Sequence, residues 1–163
     1  MAVIRDTTED DWRLLRTIRL QALQDSPDAF ASDYGAEARH NEQQWREWLR
    51  SDMWLLAFED GMALAPVGVI AATREPAALA GEHFISSLWV DPGHRRRGLA
   101  RGLVEAAAER VAADGATAVF LWVLDGNDAA RRFYTAIGFV PTGERQLAPG
   151  SSDLHEQRMH RIV

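Results

Sequence analysis

Cysteine and lysine are both missing from these 163 residues. Without cysteine there is no disulfide, no thiolate metal site and no cysteine nucleophile, which fits a cytoplasmic protein. Without lysine, all 18 basic residues are arginine, so no side chain of this protein offers an amine for acylation. Long apolar runs are absent too. The longest, residues 62–72, is short and interrupted by Pro66 and Gly68, and a membrane span is not expected. The opening M-A-V-I-R-D-T-T-E-D has no basic region followed by an apolar core, so it does not read as a secretory signal. Excess positive charge is also lacking: the net charge of −6 argues against nucleic acid as the main partner, because that affinity depends on phosphate neutralisation.

What is present describes one ordinary globular domain over residues 1–163, with 47% hydrophobic content and no internal repeat. Residues 90–100 read V-D-P-G-H-R-R-R-G-L-A. Before them residues 85–90 are β-rich; after them Leu99, Leu103, Ala107 and Val111 recur at helical spacing, with Ala100, Val104 and Ala108 beside them. The segment is therefore a strand, a loop and a helix N-terminus. The first amides of a helix have no internal partner and carry partial positive charge, so a pyrophosphate can sit on them, with Gly98 and Ala100 leaving room. The glycine pattern is neither G-x-G-x-x-G nor a P-loop, and taken alone the stretch reads equally as a solvated basic turn.

Residues 127–139, N-D-A-A-R-R-F-Y-T-A-I-G-F, make a second unit. Asn127 or Asp128 caps a helix, Ala130, Phe133, Tyr134 and Ile137 share one face, and Gly138 supplies the left-handed stop. The preceding run, residues 118–124, is almost unbroken apolar sequence, as in a strand buried on both faces. Elsewhere the pattern predicts strands over 2–5, 54–59, 67–72, 84–90, 139–147 and 155–162, helices over 8–24 and 37–50, and turns at Asp60-Gly61 and residues 76–81.

V-D-P-G-H-R-R-R-G-L-A followed by N-x-x-A-x-x-F-Y-x-x-x-G-F resembles the GCN5-related N-acetyltransferase (GNAT) family, most strongly over residues 84–140; the D-S-P-D-A-F segment, residues 25–30, is similar to the family's helix-1/helix-2 connection. The resemblance implies an α+β fold, a mostly antiparallel sheet flanked by helices and splayed between the strands ending near Val90 and Val123. It implies acetyl-CoA as cosubstrate and no metal. Its acetyl carbonyl would lie against amides of Leu88, Trp89 and Val90 at a strand bulge, and its pyrophosphate on amides from Arg95 through Arg96, Arg97, Gly98 and Leu99 to Ala100. Arg95 and Arg97 would add charge, and Arg96 be solvated. Asn127 matches the position that bonds the pantetheine arm, Ala130 and Phe133 are further cofactor-binding positions, and Tyr134 matches the general acid to the CoA sulfur. A phenol near pKa 10 is a feasible donor to a thiolate whose conjugate acid lies near 8.5.

One position departs from the family pattern. Ser86 and Ser87 stand where several members carry a glutamate base, which leaves Glu82 or His83 to act through water, or a substrate that arrives partly neutral and needs little help. The acceptor region is acidic through Asp25, Asp28, Asp33, Glu37, Glu42 and Glu47, which favours a cationic amine or is simply a set of solvated helix faces. His155-Glu156 and His160 lack the i, i+4 spacing of a zinc-binding H-E-x-x-H. Trp45 and Trp48 read as core rather than as an acceptor platform. The leading expectation is transfer of acetyl to a small-molecule primary amine by direct attack in a ternary complex. A ribosomal-type protein N-terminal acetyltransferase and a non-catalytic acyl-CoA-binding module are the alternatives. No nucleic-acid or membrane partner is expected, and a homodimer is compatible with the sequence.

Overall fold

The computed structural model describes residues 2–30, 32–60, 64–73, 79 and 81–163. Seven strands form one sheet in the order β1-β2-β3-β4-β5-β7-β6. They are β1 (Val3–Asp6), β2 (Met53–Phe58), β3 (Gly68–Thr73), β4 (Glu82–Val90), β5 (Ala118–Leu124), β6 (Val140–Leu147) and β7 (His155–Ile162). Among the described residues five α-helices accompany them: α1 (Trp12–Asp25), α2 (Tyr34–Ala38), α3 (Glu42–Ser51), α4 (Leu99–Ala113) and α5 (Asp128–Ala136). The turn expected over residues 76–81 lies largely outside the described residues, as does Gly61 of the Asp60-Gly61 turn.

Alternation along the central strands sorts their side chains onto two faces. Leu55, Ala57, Ile70, Ala72 and Ile85 pack with Leu103, Val104, Ala107 and Val111 of α4. Trp54, Leu56, Phe58, Val69 and Ala71 pack on the opposite face with Leu15, Ile18, Trp45 and Leu49 of α1 and α3. Trp45 is fully buried in the core, and the partly buried Trp48 packs against that core, stacked on Trp54 with centroids 6.1 Å apart.

The helix expected over residues 37–50 is two helices. Asp33 caps α2 by accepting from the amides of Gly35 and Ala36, and the Arg39 amide closes its end. Asn41 then opens α3 in a reciprocal capping box with Gln44. An asparagine inside the periodic stretch was thus the start of a helix rather than its interior. Likewise, the helix expected over residues 8–24 opens with a 3₁₀ turn, Glu9–Asp11, before α1 begins at Trp12.

All strand pairings but one are antiparallel. The exception, β4 with β5, is parallel and short: only Glu82, His83 and Phe84 pair, with Ala118, Val119 and Phe120. Beyond Phe84 the two strands separate, and a cleft opens in the middle of the sheet. Among the described residues no helix is long and apolar enough to cross a membrane.

Candidate active site

The cleft begins where strand pairing ends, and a bulge marks its β4 wall. Val69 faces Trp89 while Ala71 faces Ser86, so Ile70 stands opposite both Ser87 and Leu88. Ser87 takes the left-handed φ of 59°, which a non-glycine residue adopts only when its surroundings enforce it. Here the enforcement is visible. Arg19 of α1 donates from Nη1 to the Ser87 Oγ at 3.0 Å, and its Nε and Nη2 grip Glu37 of α2 at 2.8 and 2.9 Å. Ser32 also donates to Glu37, and the Arg19 guanidinium lies 4.9 Å from the Phe30 ring centre. Arg19 and Glu37 are only 6% and 2% exposed. Sequence reading missed Arg19; its one signal was an arginine on the apolar stripe of α1, between Ile18 and Leu20.

At the far end of β4 the chain turns through a short 3₁₀ segment into α4. Gly98 caps that helix at φ 80°, and a side chain there would project into open space. Gly102 is the first amide of α4 to find a helical acceptor, the Gly98 carbonyl at 2.9 Å. The amides of Leu99, Ala100 and Arg101 are therefore free of helical partners, beside the positive end of the dipole.

The three arginines behave differently. Arg95 donates from Nε to the Val90 carbonyl at 2.8 Å and from Nη2 to Asp25, and it lines the channel leading into the cleft. Arg97 donates to Glu59 at 3.4 Å and is not among the residues lining that channel. Arg96 is exposed, with φ 62°. Asp25 also accepts from the Trp89 indole at 2.9 Å; that bond first, then those from Ser26 and Arg95, hold its carboxyl below the usual aspartate range. His94 is clasped between Asp91 at 2.9 Å and Glu59 at 3.1 Å, and these carboxylates, Asp91 foremost, raise its pKa.

The opposite wall comes from β5 and α5. Asn127 accepts from the Ala130 amide at 3.2 Å, which leaves its amide nitrogen for other use. The helix ends as expected, with Gly138 at φ 97° and the Phe139 amide reaching back to the Tyr134 carbonyl at 3.0 Å. Ala130, Phe133 and Tyr134 face the cleft, and the Tyr134 ring packs edge-on against Phe133 and Phe139. Burial pushes the Tyr134 phenol above its ordinary pKa.

Three spaces share these walls: the first and second have Leu88, Ala130 and Tyr134 in common, the second and third Phe30, Leu124 and Asn127. A channel of about 310 Å³ runs from Arg95 and Ala100 past Leu88, Ala130 and Phe133 to Tyr134. A chamber of about 380 Å³ lies in the splay, bounded by Ser86, Ser87, Trp122, Asn127 and Tyr134. A broad groove of about 990 Å³ leads outward between the α1–α2 connection and the β6–β7 turn, past Asp28, Asp33 and Asp125. Of the expected acidic set, Glu37, Glu42 and Glu47 are held by Arg19, Arg46 and Arg50. Glu82 and His83 lie at the closed end, in the paired stretch. Glu82 forms an ion pair with Arg158 at 3.1 Å, and neither residue lines the chamber. Leu88, Trp89 and Val90, by contrast, all line the channel.

Residues 19–139 match the model of the acetyltransferase (GNAT) family. The chain belongs to that family. Among curated proteins it is similar to the mycothiol acetyltransferase of Beutenbergia cavernae, 37% identical over 90 residues, which are 55% of this chain and 28% of that protein. The chain thus spans little more than a quarter of that relative. Its fold matches a GNAT-family acetyltransferase from Streptococcus pneumoniae with a TM-score of 0.79, 20% identity and full coverage of both chains. It also matches an acetyltransferase structure from Salmonella typhimurium, described with its cofactor acetyl-CoA, with a TM-score of 0.77, 17% identity and coverage of 99% and 94%. The splayed, mostly antiparallel sheet expected of the family is the observed one.

Proposed function

We propose that this protein transfers an acetyl group from acetyl-CoA to the primary amine of a small molecule, by direct attack within a ternary complex. The observation that carries this reading is a row of three spaces with shared wall residues, with free helix amides beside the first, the Tyr134 phenol between the first and second, and aspartates lining the third. The cysteine-free composition supports the cytoplasm as its place of action.

The residues fit acetyl-CoA. Leu99, Ala100 and Arg101 present unpaired amides at the mouth of the channel, the open space at Gly98 admits a phosphate, and Arg95 adds charge. Leu88, Ala130 and Phe133 give the channel apolar walls, and the Asn127 amide nitrogen is a donor at its inner end. Bound there, acetyl-CoA supplies an activated acyl thioester. Ser87 and Leu88, displaced from regular pairing by the bulge, leave backbone donors near the splay for a developing oxyanion. Tyr134 keeps its proton because its ring is desolvated, and it holds that proton for the departing sulfur. Asp28 and Asp33 line the groove, and their charge favours a cationic amine; Asp125, also in its wall, is paired with Arg145.

Thiol release from acetyl-CoA, measured with a panel of small amines and a matching panel of peptides, tests this function. Turnover with small amines alone supports it. Turnover with peptide N-termini alone replaces it with protein N-terminal acetylation, and binding of CoA without turnover makes the domain an acyl-CoA sensor.

A further inference from the structure

Among the described residues only Ser87 and Arg96 combine a side chain with a left-handed φ, and only Ser87 lies in a strand. It sits at the bulge. By this point β4 has also lost its β5 neighbour, since their pairing ends at Phe84. Backbone groups on that edge face the chamber instead, and Ser86, Ser87 and Leu88 all belong to its wall. The φ of a residue sets the angle between the rigid peptide planes on either side of it. The angle at Ser87 therefore decides where the amides of Ser87 and Leu88 point.

Left unanchored, a serine in a strand favours an extended φ, because its Cβ crowds the backbone in the left-handed region. A buried chain of contacts opposes this. The Ser87 Oγ accepts from Arg19 Nη1 at 3.0 Å, and Arg19 is gripped through Nε and Nη2 by Glu37. Ser32 donates to Glu37 at 2.5 Å, and the Phe30 ring lies 4.9 Å from the guanidinium.

We infer that Arg19 is a positioning residue for acetyl transfer: gripped by Glu37, it holds Ser87 in the conformation that aims the bulge amides at the acetyl carbonyl. The inference rests on the acetyltransferase reading proposed above. A buried ion pair is a poor route to stability, because apolar side chains of similar volume commonly give as stable a fold. What it adds is direction. Two bonds to Glu37 fix the plane of the guanidinium, and Nη1 is thereby presented to the Ser87 hydroxyl. Donors aimed in advance need no reorganisation as charge develops on the carbonyl oxygen, and displacing them costs about a hundredfold in rate.

The test needs a variant that loses the anchor without stranding a charge. Arg19→Met combined with Glu37→Leu replaces the pair by apolar side chains, and Ser87→Ala removes the hydroxyl alone. Acetyl-CoA with an isotopically labelled acetyl carbonyl, bound to the full chain without an acceptor, reports the donors directly, because hydrogen bonds lower the carbonyl stretching frequency in the infrared. Binding to the unsubstituted protein should lower it. The double variant and Ser87→Ala should each lose about half of that shift or more, with acetyl-CoA affinity within about threefold, since the pyrophosphate contacts lie elsewhere. Adding Ser87→Gly to the double variant should restore most of the shift, because glycine takes a positive φ without an anchor. General loosening of the fold predicts the opposite. In thiol release with an amine that turns over, kcat of the double variant should fall about tenfold or more with KM little changed. A shift equal in all four proteins, a lost shift that Ser87→Gly does not restore, or no shift in the unsubstituted protein overturns the role of Arg19 while acetyl transfer stands. Absence of acetyl-CoA binding in the unsubstituted protein instead defeats the acetyltransferase reading.

Discussion

Arg19 on α1 and Ser87 on β4, 68 residues apart, are joined by a hydrogen bond of 3.0 Å that ties the helical cover of the chamber to the bulge in its wall. The same guanidinium makes two bonds to Glu37, and both charged side chains are nearly inaccessible to water. One cation therefore ties the bulge to the cover.

Removing that cation strands a buried carboxylate. Arg19→Ala should destabilise the fold by about 3–5 kcal/mol, the range for breaking a buried pair. Adding Glu37→Ala should recover part of the loss, because the uncompensated charge goes with it. Denaturant unfolding of the two single variants and the double variant gives the coupling. Additive losses would mean that the pair contributes packing rather than charge.

Gly98→Val tests the phosphate end. A side chain at this φ of 80° is strained, at roughly 1–2 kcal/mol, and it projects into the space left for phosphate. CoA affinity should fall by about tenfold or more while the circular-dichroism spectrum persists. Equal affinity in the two proteins, measured by calorimetry, would move the pyrophosphate elsewhere.

For Tyr134→Phe the expected loss is in kcat, by about a hundredfold, with CoA affinity nearly intact, since the ring contacts with Phe133 and Phe139 persist. Desolvation raises the phenol's pKa, so the acid form survives beyond the ordinary value near 10 and the alkaline limb of kcat should not fall at or below that pH. A limb near pH 9 that disappears in Tyr134→Phe would contradict this.

His94 sets a pH dependence of the opposite region. Asp91 and then Glu59 raise its pKa, so the folded state holds the proton more tightly than the unfolded chain. The stabilisation is fully present below the unfolded value near 6.5 and is lost as pH rises through the higher folded value. His94→Gln should flatten the decline in melting temperature across that window, and an NMR titration should place the imidazole above an exposed histidine. An unaltered profile in His94→Gln would assign the decline to other groups.

Much of this was legible in the sequence because it is local. The spacing of Leu99, Leu103, Ala107 and Val111 set α4, and Asn127 with Gly138 bounded α5 to within a residue or two. The family motifs anticipated the splay between β4 and β5. What the sequence hid depends on long-range register. The only local mark that separates Arg19, which is buried, from Arg16 one turn earlier is its place between Ile18 and Leu20. Nothing local pairs Arg97 with Glu59, 38 positions away. Glu156 looked like a fragment of a broken zinc motif, and only its pairing opposite Leu124 and Gln146 turns it into the chamber. Glu82 was drawn to the site by its place on the right strand, yet it stands at the end where the strands are still joined.

That junction has a mechanical meaning. Three residue pairs are all that couple β1–β4 to β5–β7 within the sheet, so the two halves meet as leaves on a short hinge rather than as one continuous plate. Anything spanning the gap acts as a brace between the leaves. Filling the channel should therefore slow amide exchange at residues 86–90 and 121–124 together, on strands that share no hydrogen bond there, while the outer strands β1 and β2 exchange as before.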